Sequence, residues 1–71
     1  MNPRTLVRAH QFLYYVLARP VMSDSDYDDF CLRHGIERGG GSDLESSYSG
    51  EEKRIADLMD RGIMDAEGRM R

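Results

Sequence analysis

The sequence has little of three things that assign a chain to a common class of protein. It has one cysteine in 71 residues, so an internal disulfide is impossible and a cystine-stapled secreted module is excluded. It has no apolar run near the roughly 18 residues that a membrane span needs, and no signal-peptide pattern. It has no basic excess, because its formal charge is −3 and its isoelectric point is near 5.2. We therefore expect a cytoplasmic protein that binds neither membranes nor nucleic acid directly.

The length permits a single domain with a small core. Of the 71 residues, 39% are hydrophobic, which brings hydrophobic burial and chain entropy close to balance. Such a domain is only marginally stable alone. We therefore expect a protein partner or self-association.

The first helix is predicted from its start signal and from its apolar period. Asn2 is a capping residue and Pro3 suits the first helical position, and the helical pattern continues to about Leu17. Four apolar or aromatic residues lie outside the main stripe, so we expect a second surface of this helix to be covered as well: Val7, Phe12, Tyr14 and Tyr15. The stripe itself comprises Leu6, Ala9, Leu13, Val16 and Leu17.

A second helix follows after a short link at Pro20. Ser23 with Asp26 three residues later predicts the start of a helix that runs from Asp24 to about His34, with Gly35 as a left-handed terminator. The short link predicts an antiparallel helical hairpin over residues 1–34. Its basic half (1–19) and acidic half (20–34) can attract each other.

The rest of the chain is predicted to be a glycine-rich flexible loop, a third short helix and a tail. The loop spans residues 35–49, where three consecutive glycines stand beside several serines. Ser49 and Glu52 form a capping box, and Gly62 ends the helix at 50–61. The tail, 62–71, can form a turn from Asp65 to Gly68 and is expected to fray. The fold class is therefore all-α.

The candidate site lies where the two halves of the hairpin meet. Asp24, Tyr27 and Asp28 share one face at the start of the second helix, and Tyr14 or Tyr15 ends the first. Aromatic faces attract flat cations, and carboxylates accept hydrogen bonds from ribose hydroxyls or carboxamide N–H groups. These side chains suit a nicotinamide riboside, and they would equally tolerate another cationic or sugar-bearing group.

The stretch from His10 to Leu32 resembles the N-terminal helical domain, called Ia, of bacterial NAD-dependent DNA ligases. The resemblance covers about one third of the chain and rests on His10, Tyr14, Tyr15, Pro20, Ser23-Asp24 and Tyr27-Asp28. In that family the domain binds the nicotinamide mononucleotide (NMN) half of NAD. The resemblance therefore implies NAD or NMN as a ligand. The implied contacts are Tyr14, Tyr15, Asp24, Tyr27 and Asp28.

The departures from the ligase pattern are also informative. The family usually has an acidic residue before the proline, where this chain has Ala18 and Arg19. The second helix is predicted to end at Gly35, where the family continues a long helix. It also lacks the K-x-D-G adenylation motif, so we expect a non-catalytic protein rather than an enzyme.

Two other interpretations remain open at this stage. The tyrosines can be aromatic core residues of a small helical scaffold, with acids that stabilise a helix N-terminus. A small phage-type (viral) effector or inhibitor, for example one resembling an anti-CRISPR protein, can use that scaffold and its acidic face to block a basic surface. A metal site is not expected, because Cys31 and His34 provide only half of a zinc ligand set.

Overall fold

The fold is all-α, as predicted. The computed structural model describes residues 2–37 and 39–71. Its elements are α1 (Pro3–Gln11), a π-helical segment (Phe12–Val16), α2 (Asp24–Arg33), a 3₁₀ turn (Glu45–Ser47) and α3 (Gly50–Asp60). The described residues contain no strand, and their β-type pairing consists of an isolated bridge between Met64 and Met70.

The predicted helix starts are confirmed at the level of individual hydrogen bonds. The Asn2 side chain accepts a bond from the Arg4 N–H at 2.9 Å, and Ser23 Oγ accepts one from the Asp26 N–H at 3.2 Å. Both bonds of the Ser49–Glu52 capping box are present, at 3.1 and 2.9 Å. The first turn of each α-helix is therefore fixed by side chains adjacent in sequence.

The predicted helix ends are confirmed for α2 and α3. Gly35 and Gly62 follow these helices with φ angles of +62° and +76°. This left-handed geometry terminates a helix and is accessible to glycine at low cost.

The prediction of an unbroken first α-helix to Leu17 is wrong beyond Gln11. From Phe12 the chain forms a wider π turn, in which the Leu17 N–H donates to the Phe12 carbonyl at 3.1 Å. Ala18 then takes a left-handed φ of +54°, and Arg19 N–H donates to the Leu13 carbonyl at 2.8 Å. The apolar stripe does not reveal this change, because the side chains that it predicts to face the core, Leu13, Val16 and Leu17, still contact the core.

The core lies mainly between α1 and α3. The second surface of the first helix is covered at Val7 and Phe12, as predicted: Phe12 meets the ring of Tyr48 edge-on with centroids 5.2 Å apart, and Val7 is buried as well. The prediction is wrong for Tyr14 and Tyr15, which stay 48% and 40% exposed. The cluster comprises Leu6, Val7, Ala9, Phe12, Leu13, Phe30, Cys31, Tyr48, Ile55, Ala56, Met59 and Met64. Helix α2 joins it chiefly through Phe30 and Cys31.

The basic residues of the first segment pair with α3, which corrects the expected attraction to residues 20–34. Arg8 Nε lies 3.4 Å from Glu52, and an Arg19 terminal nitrogen lies 3.0 Å from Asp60. Charge therefore supports the same α1–α3 contact that the core builds, whereas in α2 Asp29 pairs with Arg33 of its own helix.

The loop and the tail are both packed against the helices. The predicted loop, 35–49, includes Arg38, which lies outside the described residues. Tyr48 of this loop is buried and donates to the Ser42 carbonyl at 2.6 Å. The tail forms the predicted Asp65–Gly68 turn, with an N···O distance of 3.0 Å. It buries Met64 rather than leaving the core exposed, contrary to the expected fraying.

None of the helices within residues 2–37 and 39–71 combines the length and the hydrophobicity that crossing a membrane requires.

Candidate functional site

An open cleft of about 260 Å³ lies where the π segment, the start of α2 and the glycine-rich loop meet. Its floor and walls come from three separate parts of the chain. The lining residues are His10, Gln11, Tyr14, Tyr15, Pro20, Met22, Asp24, Tyr27, Gly39 and Gly40. No residue of α3 (Gly50–Asp60), which the structure describes completely, lines the cleft, so the third helix does not fill it.

The structure brings four of the five sequence-predicted site residues to this cleft. Tyr14, Tyr15, Asp24 and Tyr27 all line it. Asp28 does not belong to the lining, although it is only one position from Tyr27. The i, i+3, i+4 spacing put Asp28 on the correct side of α2, but the cleft opens toward the first turn of the helix.

The π segment gives the cleft two tyrosines instead of one. Sequence neighbours on an α-helix point about 100° apart, and the wider π turn reduces this separation. The Tyr14 and Tyr15 rings meet edge to face with centroids 4.8 Å apart. They remain 48% and 40% exposed, so both are accessible from solvent rather than packed into the core.

Gln11 joins the three parts of the cleft. Its buried side-chain Nε2 donates to the Tyr27 hydroxyl at 3.1 Å and, more weakly, to the Gly39 carbonyl at 3.5 Å. Its Oε1 accepts from an Arg8 terminal nitrogen at 3.5 Å. One side chain of α1 thus holds α2 and the glycine-rich loop in place.

The glycine-rich loop approaches the aromatic wall closely at Gly41. A Cβ at this position would lie 2.6 Å from Cδ2 of Tyr15 and 2.9 Å from Cβ of Gln11. A side chain larger than hydrogen would therefore displace the Tyr15 ring or the loop. The absence of a side chain here allows the loop to form a wall of the cleft.

His10 is a buried wall residue with a structural partner. Its Nε2 lies 2.7 Å from the carbonyl oxygen of Ala66 in the tail. Burial lowers the pKa of His10 below its ordinary value of 6.5, and the Ala66 carbonyl raises it to a smaller extent. The ring is therefore neutral at pH 7 and adds no positive charge to the cleft.

The cleft has a negative polarity set by Asp24. Among the described residues that line it, Asp24 is the one charged side chain at neutral pH. Burial raises the pKa of the Tyr27 phenol above its usual range, and the bond from Gln11 lowers it in part. Tyr27 consequently keeps its proton at neutral pH. The site offers aromatic faces and one carboxylate.

Cys31 and His34, the two residues considered as zinc ligands, lie in different environments. Cys31 is buried in the core, whereas His34 is exposed and lies over Phe30 with ring centroids 4.5 Å apart. Within the part of the chain that the structure describes, no three His, Cys, Asp or Glu side chains gather where a metal ion could bind.

Sequence reasoning missed Gln11 and the glycine wall. Gln11 appeared as one polar residue within an amphipathic helix, and the glycines indicated only a flexible loop. The three consecutive glycines and the tyrosine pair are both visible in the sequence. Their contact cannot be predicted without knowing that the loop folds back onto the tyrosines. Comparison with known proteins adds no guidance, since no family model, curated protein or solved structure matches this chain.

Proposed function

We propose that this chain is a non-catalytic module that binds the nicotinamide riboside portion of a nicotinamide nucleotide such as NMN or NAD. The observation that carries the proposal is the convergence of Tyr14, Tyr15, Tyr27 and Asp24 on one open cleft. This is the ligand that the resemblance to the ligase Ia domain implies, and four of the five implied contacts line the cleft.

The chemistry of the lining favours a flat, positively charged ring. Tyrosine faces attract a pyridinium through the ring quadrupole, at about 0.5–2 kcal/mol for each contact. The Asp24 carboxylate adds Coulomb attraction and can accept hydrogen bonds from ribose or carboxamide groups. The neutral state of His10 leaves this attraction unopposed within the described lining.

The size of the cleft suits a riboside rather than a whole dinucleotide. Pockets for drug-sized ligands usually measure about 300–1,000 Å³, and this one is slightly smaller at about 260 Å³. At about 0.3 kcal/mol per non-hydrogen atom, a riboside with about 18 such atoms gains about 5 kcal/mol. We therefore expect a dissociation constant on the order of 0.1 mM. The remainder of a larger nucleotide would extend into solvent or contact a partner protein.

The direct test is a titration of the ¹⁵N-labelled chain with nicotinamide riboside and NMN, followed by NMR. We expect saturable shifts at Gln11, Tyr15 and Gly40. The variant Tyr14→Leu should lower the affinity by roughly tenfold, because it removes one ring face. The matched control Tyr14→Phe keeps that face and should bind like the parent chain. Tyr14 is about half exposed, so neither change should unfold the protein.

The same titration also tests the rival interpretation. No saturable shift at millimolar riboside would contradict the nucleotide proposal. Protein docking through the acidic face of α2 would then be the better hypothesis, with Leu32 as its first residue to change, since Leu32 on that helix is 80% exposed. Equal binding by Tyr14→Leu and Tyr14→Phe would show that Tyr14 does not stack on the ligand.

A further inference from the structure

The hydrogen-bond direction at Tyr27 is fixed by Gln11. An amide nitrogen donates and cannot accept, so the 3.1 Å bond from Gln11 Nε2 uses the Tyr27 oxygen as acceptor. The phenol proton therefore points elsewhere, and the buried Cys31 thiol is a second side-chain hydrogen-bond partner of this hydroxyl. Tyr27 thus contributes its ring to the cleft, while its hydroxyl is engaged by the protein's own side chains.

Two polar groups of the lining are hydrogen-bond acceptors that cannot donate. The Asp24 carboxylate is one, and the Gly39 carbonyl is the other, which Gln11 engages only weakly, at 3.5 Å. The described lining provides no cation to neutralise a ligand anion. The site thus offers two acceptors, one of which is negatively charged.

We propose that the cleft selects the carboxamide form of a pyridinium riboside and rejects the carboxylate form. This inference rests on the proposed function and adds its specificity. A primary carboxamide matches these acceptors, because its N–H₂ can donate to Asp24 or to Gly39. A carboxylate has the same shape but only accepts, and its charge faces the Asp24 carboxylate. Such an unmatched polar contact is what gives a site its strongest discrimination.

The test compares nicotinamide riboside with nicotinic acid riboside, which have the same shape and differ in one group. Each is titrated into the intact chain at pH 7, and the two dissociation constants are measured by NMR or calorimetry. We expect the acid form to bind at least tenfold more weakly. That ratio is the measured selectivity.

The variant Asp24→Asn is expected to change this ratio, because it should bind the acid form more tightly. Asparagine keeps the side-chain size, removes the charge and adds a donor, so the acid form should bind about tenfold better than it does to the parent chain. A gain of this kind cannot result from misfolding. The matched control is Asp26→Asn, an exposed acid in the same first turn that does not line the cleft, and it should leave the ratio unchanged.

The possible outcomes separate this inference from the proposed function. Equal affinity for the two ribosides in the parent chain would overturn the selectivity and leave nicotinamide binding intact. An unchanged ratio in Asp24→Asn would overturn the assignment of the selectivity to Asp24. Failure of both ribosides to bind would remove the proposed function, and this inference with it.

Discussion

The two sides of α1 and its π segment differ in what they contact. The side that faces α3 is fully packed, since Leu13 is buried and Phe12 contacts the ring of Tyr48. Arg8 and Arg19 also form ion pairs with acids of α3. On the side of α2, the same stretch of chain leaves an open cleft with two exposed tyrosines. A domain of this size has few apolar residues to bury. Burying the two exposed tyrosine rings would have stabilised the fold further, yet the structure leaves them in solvent.

This difference places most of the apolar burial on one side and an open cleft on the other. Apolar burial contributes roughly 25 cal/mol for each Å² removed from water, and most of the core lies on the α3 side. On the cleft side, hydrogen bonds from Gln11 connect α1 to Tyr27 and to the Gly39 carbonyl. The comparison can be tested by substitutions that affect one side and leave the other unchanged.

The largest expected effect is the loss of stability in Leu13→Ala. Leu13 is 0% exposed, and removing a buried leucine side chain costs about 2–5 kcal/mol because it leaves a cavity. In a small domain this is enough to unfold much of the population. Tyr14→Ala, next in sequence but on the cleft side, should cost less than about 1 kcal/mol. Urea unfolding measures both, and similar losses in the two variants would contradict the division between the sides.

A smaller effect, confined to the cleft, is expected from Gly41→Ala. The new Cβ would lie 2.6 Å from the Tyr15 ring, so the ring or the loop must move, and riboside affinity should fall by roughly tenfold. Gly50→Ala is the matched control, because its Cβ would meet nothing within 4 Å and Gly50 does not line the cleft. Neither glycine has a positive φ, so backbone strain does not distinguish them. Equal affinity in the two variants would argue against the loop as a rigid wall.

The smallest effect is a dependence of stability on pH, which arises from His10. Burial lowers the pKa of His10 in the folded protein below its ordinary value of 6.5. The unfolded chain therefore binds the proton more readily, and stability is complete above about pH 6.5 and declines as the pH falls below that value. The slope is at most about 1.4 kcal/mol for each pH unit.

Urea unfolding between pH 7.5 and 5 checks this linkage. His10→Gln should remove most of the decline in that interval, whereas His34→Gln, at the exposed histidine, should retain it. A decline of the same size in His10→Gln as in the parent chain would assign the pH dependence to other groups. Carboxylates such as Asp65, whose pKa is lowered by backbone N–H groups of Arg69 and Glu67, lose their contribution only at lower pH.

The sequence predicted those features that depend on neighbouring residues. Asn2, Ser23 and Ser49 fixed the helix starts, and Gly35 and Gly62 fixed two of the ends, because caps and terminators act within a few positions. The apolar period likewise identified the core surface of α1. It also predicted a cover for the side chains outside that surface. Tyr48 covers Phe12, whereas Tyr14 and Tyr15 stay exposed.

The features that sequence reasoning missed all depend on contacts between distant parts of the chain. Arg8 and Arg19 pair with α3 rather than with the nearer acids, since charge attraction is non-directional and core packing decides which partner is close. The tail was expected to fray because its composition is polar, but Met64 and the Ala66 carbonyl contact the helices. Spacing placed Asp24, Tyr27 and Asp28 on one helix face, and the resemblance implied both Tyr14 and Tyr15; all but Asp28 line the cleft. Gln11 and the glycine wall require the folded loop.

The π segment makes the cleft depend on how many residues the chain has at Phe12–Val16 as well as on which residues they are. A π turn is equivalent to an α turn with one additional residue. Deleting a single residue there would restore regular α-helical hydrogen bonding and leave the chain on either side of the segment with nearly the same orientation. Side chains within the segment would return to the α-helical separation of about 100°, so Tyr14 and Tyr15 would no longer both face the cleft. Sequences descended from this one should therefore keep the length of this segment.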